Sequence, residues 1–531
     1  MSESAAAQSP ESILELQAQV RELERQLQER SAQIRTYEQH VRILEEALRV
    51  MRADRYGASR EKLGEAPGQR SLFNEVEVLM DTAKAVDFEP DLTATPLRES
   101  APKKGKPGRK ALASHLPRVE VRYELPETER VCGCGAVLKE FDVETSEQLD
   151  YVPAKIRVLR HVKAKYACGG CHGTVKVASM PPQILPRTNA SPGLLAQIAT
   201  SKYVDGLPLY RLETVAERHG VNLPRATQAA WMIALAKPLQ PLMNLMDERA
   251  RNSGYVRIDE TPMQVLKSDK AATAEHWMWV RVAGPPKERL ILFDYDASRG
   301  SQVAERLLDG CHGYVQSDGY AAYDGAAVRL KLTHVGCMAH ARRRFFEAIE
   351  ALPHSERKQE TAAHEMVRRI DALYTIEREI KTLTPDERTK VRRERALPLL
   401  DKLIERAHAL QQQILPSGKL GEALAYLTKQ WPKLARYVEE GRLEIDTNLA
   451  ENAIRPFARG RRAWLFADTV SGAKASAMLY SLVESCKANG LEPYAYLCRL
   501  FERLPHANTV ADYEALLPIG TFATSSVTRH G

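Results

Sequence analysis

Gly254-Tyr-Val-Arg-Ile-Asp259 is a short β-branched and aromatic run that ends on an acid, and Gly313-Tyr-Val-Gln-Ser-Asp318-Gly-Tyr320 repeats that arrangement further along the chain. Runs of this length, entered from glycine, predict strands. More strands are expected at 276–283, 289–294 and 332–336, with helices at about 300–309 and 339–350. Three consecutive strands followed by alternating helix and strand predict a mixed sheet whose first and fourth strands lie side by side. Asp259 and Asp318 would then stand at neighbouring strand ends. A third acid, Glu451, lies in the helical stretch Asn448-Leu-Ala-Glu-Asn-Ala-Ile-Arg-Pro456. Hard cations such as Mg²⁺ or Mn²⁺ prefer carboxylate oxygens and leave positions open for phosphate. Two such ions can clamp the attacking and leaving oxygens of a phosphodiester. The trio therefore points to an enzyme that cuts and joins nucleic acid. An aspartate at a strand end is also ordinary turn chemistry, so the rest of the chain has to carry the case.

At 531 residues the chain is too long for one core and is expected to form several modules. Its net charge of +7 permits a nucleic-acid partner without demanding one. The start, Met1-Ser-Glu-Ser-Ala, has neither the basic residues nor the apolar run of a signal peptide. No apolar stretch approaches the ~20 residues of a membrane span, so no membrane partner is expected. Four of the eight cysteines cluster like metal ligands rather than as a secreted disulfide framework. A reducing cytoplasm is the natural compartment.

Residues 10–52 carry a heptad repeat. Ile13, Val20, Leu27, Ile34, Val41 and Leu48 share one seam position, and Leu16, Leu23, Tyr37, Leu44 and Met51 the other, which Arg30 interrupts. A narrow apolar stripe with this period predicts a coiled coil and a homo-oligomer, with a parallel dimer mildly favoured; the alternative is one amphipathic helix docked on the protein. Residues 53–130 read as a linker containing Lys103-Lys-Gly-Lys-Pro-Gly-Arg-Lys110, which either follows phosphates or is simply solvated. In 131–180, Cys132-Gly-Cys134 and Cys168-Gly-Gly-Cys171-His172 flank a strand-like stretch. Two such knuckles match a structural zinc ribbon. The first pair is one residue tighter than usual, and His172 could replace one sulfur. Unpaired thiols or a redox pair are the alternatives.

Residues 190–250 read as helical. A short helix closed by Gly220, then Pro224 and a second helix, predict a helix-turn-helix with Arg225 and Gln228 near the face that meets base edges. A plain αα-hairpin would look the same. The sheet region, 251–350, ends on a helix with Arg342, Arg343 and Arg344. A charged helical insertion is expected at 351–440, and a second part of the sheet domain at 441–470, where Arg455, Arg459, Arg461 and Arg462 follow Glu451. Helices at 474–489, read as amphipathic, and near 493–504 complete a C-terminal segment, 471–518. Cys337 and His340 either pack between strand and helix or orient the acid site. Trp464 either stacks on an unpaired base or is buried, the commoner fate.

The order of zipper, basic linker, cysteine knuckles, helix-turn-helix and split acidic domain resembles the bacterial insertion-sequence transposases of the IS sixty-six type. The segments that carry the resemblance are Arg55-Tyr-Gly-Ala-Ser-Arg-Glu-Lys-Leu63, Tyr203-Val-Asp-Gly-Leu-Pro-Leu-Tyr-Arg211, Asp259-Glu-Thr-Pro262, Asp318-Gly-Tyr320, Gly336-Cys-Met-Ala-His-Ala-Arg-Arg-Arg-Phe345 and Asn448 to Pro456. They span nearly the whole chain. The resemblance implies an RNase H-like core, with Asp259, Asp318 and Glu451 as ligands of two Mg²⁺ or Mn²⁺ ions and Asp259 bridging both. It implies double-stranded DNA, as element ends and target, for substrate, and allows accessory proteins of the same element. On this reading the helix-turn-helix binds element ends, the arginines at 342–344 and 455–462 hold phosphates, and the protein works at the nucleoid. One departure is Ala458, where related enzymes often carry a basic residue, so Arg455 or Arg459 would have to fill that role. The competing readings are a non-catalytic, zinc-containing DNA-binding regulator and a nuclease without strand transfer.

Overall fold

The computed structural model describes residues 18–31, scattered positions between 33 and 48, residues 156–167 and residues 175–520. The basic linker, Cys132, Cys134, Cys168, Cys171 and His172 lie outside the described residues. Residues 18–31 are helical. On that helix the seam side chains Val20, Leu23 and Leu27 are 51%, 63% and 70% exposed. Residues 156–167 and 175–179 belong to a unit of their own. In it β1 (Lys165–Ala167) and β2 (Val175–Val177) pair as an antiparallel ribbon, with the second cysteine knuckle between them in sequence.

From residue 180 the larger unit continues with four helices: α1 (Pro192–Tyr203), α2 (Leu209–Arg218), α3 (Arg225–Ala234) and α4 (Ala236–Arg251). Ser191 caps α1 by accepting the Leu194 N–H at 3.2 Å, and Pro192 takes a first-turn position where no donor is needed. Gly220, at φ +72°, makes the turn between α2 and α3. Glu213 then accepts the Arg225 N–H at 3.2 Å, satisfying an orphan donor at the start of α3.

The sheet contains β3 (Tyr255–Lys267), β4 (Glu275–Ala283), β5 (Leu290–Asp296), β6 (Tyr314–Gln316), β7 (Thr333–Val335) and β8 (Ala467–Thr469). Its order is β5-β4-β3-β6-β7, with β8 on the far end of β3. The first three strands run antiparallel; β6 lies parallel to β3, and β7 parallel to β6. One expectation needs correction: β3 does not stop at Asp259. It continues to Lys267 because β4 pairs with it as far as Gln264 and β8 takes over at Val265 and Lys267. Only β6 stops early, its last pair being Arg257 with Gln316. Asp259 is thus mid-strand, level with the gap where β6 has ended, while Asp318 lies just beyond the β6 end.

Helices α5 (Ser301–Leu308), α6 (Ala321–Arg329) and α7 (Met338–Ala351) connect and cover these strands. An insertion follows: α8 (Ala362–Glu379), α9 (Pro385–Val391), α10 (Leu397–Gln411) and α11 (Lys419–Leu434). It has its own core around Met366, Ile370, Leu403 and Leu427, which also takes in Val335 and Phe345 from the sheet region. Arg392 is fully buried there, its Nε and Nη2 on Glu377 at 2.8 and 2.6 Å and its Nη1 on two backbone carbonyls. A buried guanidinium is tolerated only with this degree of pairing.

The chain returns as α12 (Asn448–Trp464), then α13 (Val470–Ala488), α14 (Pro493–Arg503) and α15 (Val510–Glu514). The amphipathic reading of α13 is overturned, because the helix is buried on most of its faces. It seals the β5 edge: Ser485 and Ser481 accept the N–H groups of Ile291 and Phe293 at 2.8 Å, and the Ser485 hydroxyl donates to Ile291 O at 3.0 Å. Those serines satisfy an edge that would otherwise be open. Among the described residues no helix is long and apolar enough to cross a membrane.

Gly313 immediately precedes β6 at φ +79°, and a Cβ there would lie 2.3 Å from Gly254 O. Gly313→Ala is expected to destabilise the protein by more than about 1–2 kcal/mol, since it adds a clash to left-handed strain. Urea unfolding of the variant against the wild type measures this.

Candidate active site at the acid cluster

The Asp259 side chain is buried in the middle of β3. Its Oδ1 accepts the N–H of Glu260 at 2.9 Å, and its Oδ2 has no hydrogen-bond partner among the described residues. Burial raises this carboxyl well above the ordinary range; the charges of Glu260, Glu451 and Asp318 raise it further, and His340 opposes them. Charges act this strongly on a buried group only at short range. The sheet and α12 thus bring Asp259, Asp318 and Glu451 into one place.

Asp318 is half-buried, its Oδ1 accepting the Tyr320 N–H at 2.9 Å. The insertion closes over this turn: a Cβ at Gly319 would lie 2.9 Å from the Tyr426 ring and hydroxyl and 3.2 Å from Gln430 Nε2. Glu451 sits in the first turn of α12 and is buried. The Thr447 hydroxyl donates to its Oε1 at 3.4 Å, His340 Nδ1 lies 3.7 Å from the same oxygen, and Arg343 Nη2 lies 3.7 Å from Oε2.

The Cys337–His340 pair divides between its two expected roles. The Cys337 thiol is buried and accepts the Thr447 N–H at 3.3 Å. Burial, then the charges of Glu451 and Asp446, push its pKa up, so it packs as a neutral thiol. His340 instead faces Glu451; ligand atoms of Cys337, His340 and Glu451 fall within 4.8 Å of one another.

Several arginines expected to meet phosphate have other work. Arg342 pairs with Asp371 at 2.6 Å and lies over the Phe346 ring. Arg343 is buried against Glu451. Arg344 is exposed, over the Tyr426 ring at 4.3 Å. On α12, Arg455 is buried and Arg459 exposed. Both line a cavity of about 480 Å³ with Asp205, Asn452 and Lys487. Arg461 is half-buried, Nη1 3.5 Å from Thr261 Oγ1, and burial and then Arg462 lower it to about 10. Arg462 is exposed, and Ala458 is buried. Trp464 packs half-buried, edge-on to Phe457 at 5.5 Å, with the Lys202 ammonium over its ring.

Gln228 overturns its expectation. It is fully buried, donating from Nε2 to Leu223 O at 2.9 Å, so it closes the α2–α3 turn instead of facing a base. Arg225 is exposed.

Sequence reasoning missed Glu260. It is buried, paired with Arg299 at 2.7 Å, and accepts from the Tyr323 hydroxyl. Burial and then Asp318 raise its pKa, against Arg299 and Tyr323. The signal was available, since a second acid directly after Asp259 inside an apolar strand is rare without a partner. Asp446 is a further acid with a raised pKa: burial lifts it to about 6, although Asn448 and Tyr374 bond to it.

With this geometry in place, comparison with known proteins is informative. The family described as "Transposase IS66 family" matches residues 187–475, and the "IS66 C-terminal element" matches 481–519. The "zinc-finger binding domain of transposase IS66" matches 129–172, which takes in all four clustered cysteines. "Transposase C of IS166 homeodomain" matches 43–121. Among similar proteins of Sinorhizobium fredii, the uncharacterized protein y4jD is 32% identical over 419 residues, 77% of this chain and 81% of that protein. The uncharacterized protein y4qI is 30% identical over 485 residues, 88% of this chain and 87% of that protein.

The raised acids set a pH dependence. In the folded, metal-free chain Asp446 keeps its proton to about pH 6 and Asp259 is also raised, whereas an unfolded chain releases these protons near pH ~4. Stability from these groups is therefore present at low pH and lost as pH rises through the folded values. In chelator, Asp259→Asn should melt a few degrees above the wild type at about pH 8. Added Mn²⁺ should raise the wild-type Tm and leave that of Asp259→Asn nearly unchanged. Calorimetry across pH checks both.

Proposed function

Because the chain belongs to the IS66 family of transposases, we propose that it cleaves phosphodiesters at the ends of its own insertion sequence and joins the freed 3′ ends to target DNA. The observation that carries this reading is the buried Asp259, one oxygen of which has no hydrogen-bond partner among the described residues, within reach of the charges of Asp318 and Glu451. A buried carboxylate in that condition suits a cation better than it suits a fold. The order of three antiparallel strands followed by two parallel ones on the other side of the first supports an RNase H-like core.

Asp259, Asp318 and Glu451 are the residues that would hold the metal. Bound there, Mg²⁺ or Mn²⁺, two per site, supplies Lewis-acid stabilisation of phosphodiester oxygens and a more acidic water. The protein's own part is to fix these acids: Thr447, His340 and Arg343 hold Glu451, and the packing of Tyr426 on Gly319 holds the Asp318 turn. Water attacks the phosphodiester at an element end, leaving a 3′-hydroxyl and a 5′-phosphate; the 3′-hydroxyl then attacks a target phosphodiester, joins to its phosphorus and displaces the target strand's own 3′-hydroxyl. Exposed Arg344, Arg459 and Arg462 offer phosphate contacts, and Arg225 an end-reading contact on α3. Phosphate contacts position DNA and base contacts specify it.

Zinc held by Cys132, Cys134, Cys168 and Cys171 would stabilise the smaller unit. The exposed seam at Val20, Leu23 and Leu27 suits pairing with a second copy. The protein would act in the cytoplasm, at the nucleoid. A regulator without catalysis has no use for clustered buried acids, and strand-transfer products separate a transposase from a plain nuclease.

Asp259→Ala, Asp318→Ala and Glu451→Ala should each lower end cleavage by roughly a hundredfold or more, since the lost ligands serve several kcal/mol of transition-state stabilisation. DNA affinity should stay near wild type. Parallel gel-shift and cleavage assays test this, and full cleavage by any of the three would refute its role. Leu27→Glu should shift the protein from oligomer to monomer in light scattering, because it places charge in the seam.

A further inference from the structure

Arg299 stands in the loop between β5 and α5, on the Asp318 side of the acid cluster. Its guanidinium carbon lies 4.8 Å from the centre of the Trp277 ring and 4.1 Å from that of Tyr320. Its Nε donates to Glu260 Oε1 at 2.7 Å. Glu260 is in turn fixed by the Tyr323 hydroxyl, and Tyr320 by its hydroxyl on Arg299 O at 3.3 Å. The backbone N–H of that same Tyr320 binds Asp318 Oδ1. Despite this support, the Arg299 side chain is 40% exposed, and neither terminal nitrogen donates to a described residue.

A guanidinium needs no second aromatic ring and no buried carboxylate merely to survive at a surface. Held this way it loses little further freedom when its outer N–H edge takes up an anion, and that planar edge matches two oxygens of a phosphate. The acids beside it would repel a DNA strand, so cations must meet the backbone there. Arg342 and Arg343 are taken by Asp371 and Glu451. We propose that Arg299, positioned by Trp277, Tyr320 and Glu260, binds a backbone phosphate of the DNA strand lying against Asp318. This rests on the transposase reading and adds to it a phosphate contact outside α12.

The test is equilibrium binding of the full chain to a fluorescein-labelled DNA duplex of mixed sequence, by anisotropy over a range of salt, without divalent metal. Arg299→Ala should bind about tenfold more weakly at fixed salt. The slope of log affinity against log salt should become shallower by about one, the mark of one lost phosphate contact. Arg299→Lys should keep the wild-type slope and lose part of the affinity, because charge remains without the planar fork. Thermal melting checks folding. If Arg299→Ala melts far below the wild type, the Lys variant decides, and unchanged affinity in it overturns the proposal. An unchanged slope in folded Arg299→Ala also overturns it, even if cleavage is lost, for then Arg299 acts only through Glu260. A wild type that binds the duplex but neither cleaves nor joins element ends overturns the transposase reading and leaves the phosphate contact measurable. A wild type that does not bind the duplex overturns both.

Discussion

Four carboxylates, Asp259, Glu260, Asp318 and Glu451, occupy one largely buried place, and their mutual repulsion has to be met by the rest of the fold. Each charge there is costly without a partner. Glu260 has Arg299 and Tyr323; Glu451 has His340, Arg343 and Thr447. Asp318 is held by a turn bond from Tyr320. Asp259 receives one N–H from its neighbour and nothing on its second oxygen among the described residues. The partial neutralisation is uneven, and its weakest point is the acid at the centre of the sheet.

The helical insertion is part of that scaffold. Tyr426 and Gln430 close over Gly319, and Leu434 and Lys433 crowd Gly336. Lys433 pairs with Asp324 at 2.8 Å, and Arg436 donates to His334 O at 2.6 Å. Where the chain leaves the insertion, Gln316 donates to Glu444 O and the Met338 N–H to Ile445 O. These bonds fix the entry into α12, and with it Glu451. An insertion of this kind does more than fill a loop: it sets how far the third acid stands from the other two.

Much of this was legible in sequence because strand signals are local. The glycine-bounded runs at 254 and 313 gave the first and fourth strands, and the order of elements gave their adjacency. What was not legible came from tertiary context. The length of β3 beyond Asp259 is decided by β4 and β8, a distant partner that no local pattern announces. Gln228 has the position of a base reader in a helix-turn-helix, but its amide is consumed by the turn. The α13 stretch reads as amphipathic in sequence, whereas Ser481 and Ser485 are buried on the β5 edge. The run Arg342 to Arg344 looked like one basic patch. A helix turns ~100° per residue, so the three side chains point to Asp371, to Glu451 and toward Tyr426.

That last point bears on how such a site meets a polyanion. A cation that neutralises a buried acid is committed, since moving it to a phosphate would strand the acid. Arg343 is committed to Glu451 and Arg392 to Glu377. Arg299 differs because one nitrogen serves Glu260 while its outer edge remains in solvent. One guanidinium can then satisfy a protein acid and a nucleic-acid oxygen together, because its donors lie in a fixed plane and point different ways. A lysine ammonium has donors too, but without a rigid planar fork to aim one set at the acid and the other at a phosphate. Where acids must be packed densely and DNA must still approach, arginine at the boundary between them is the residue whose geometry allows both.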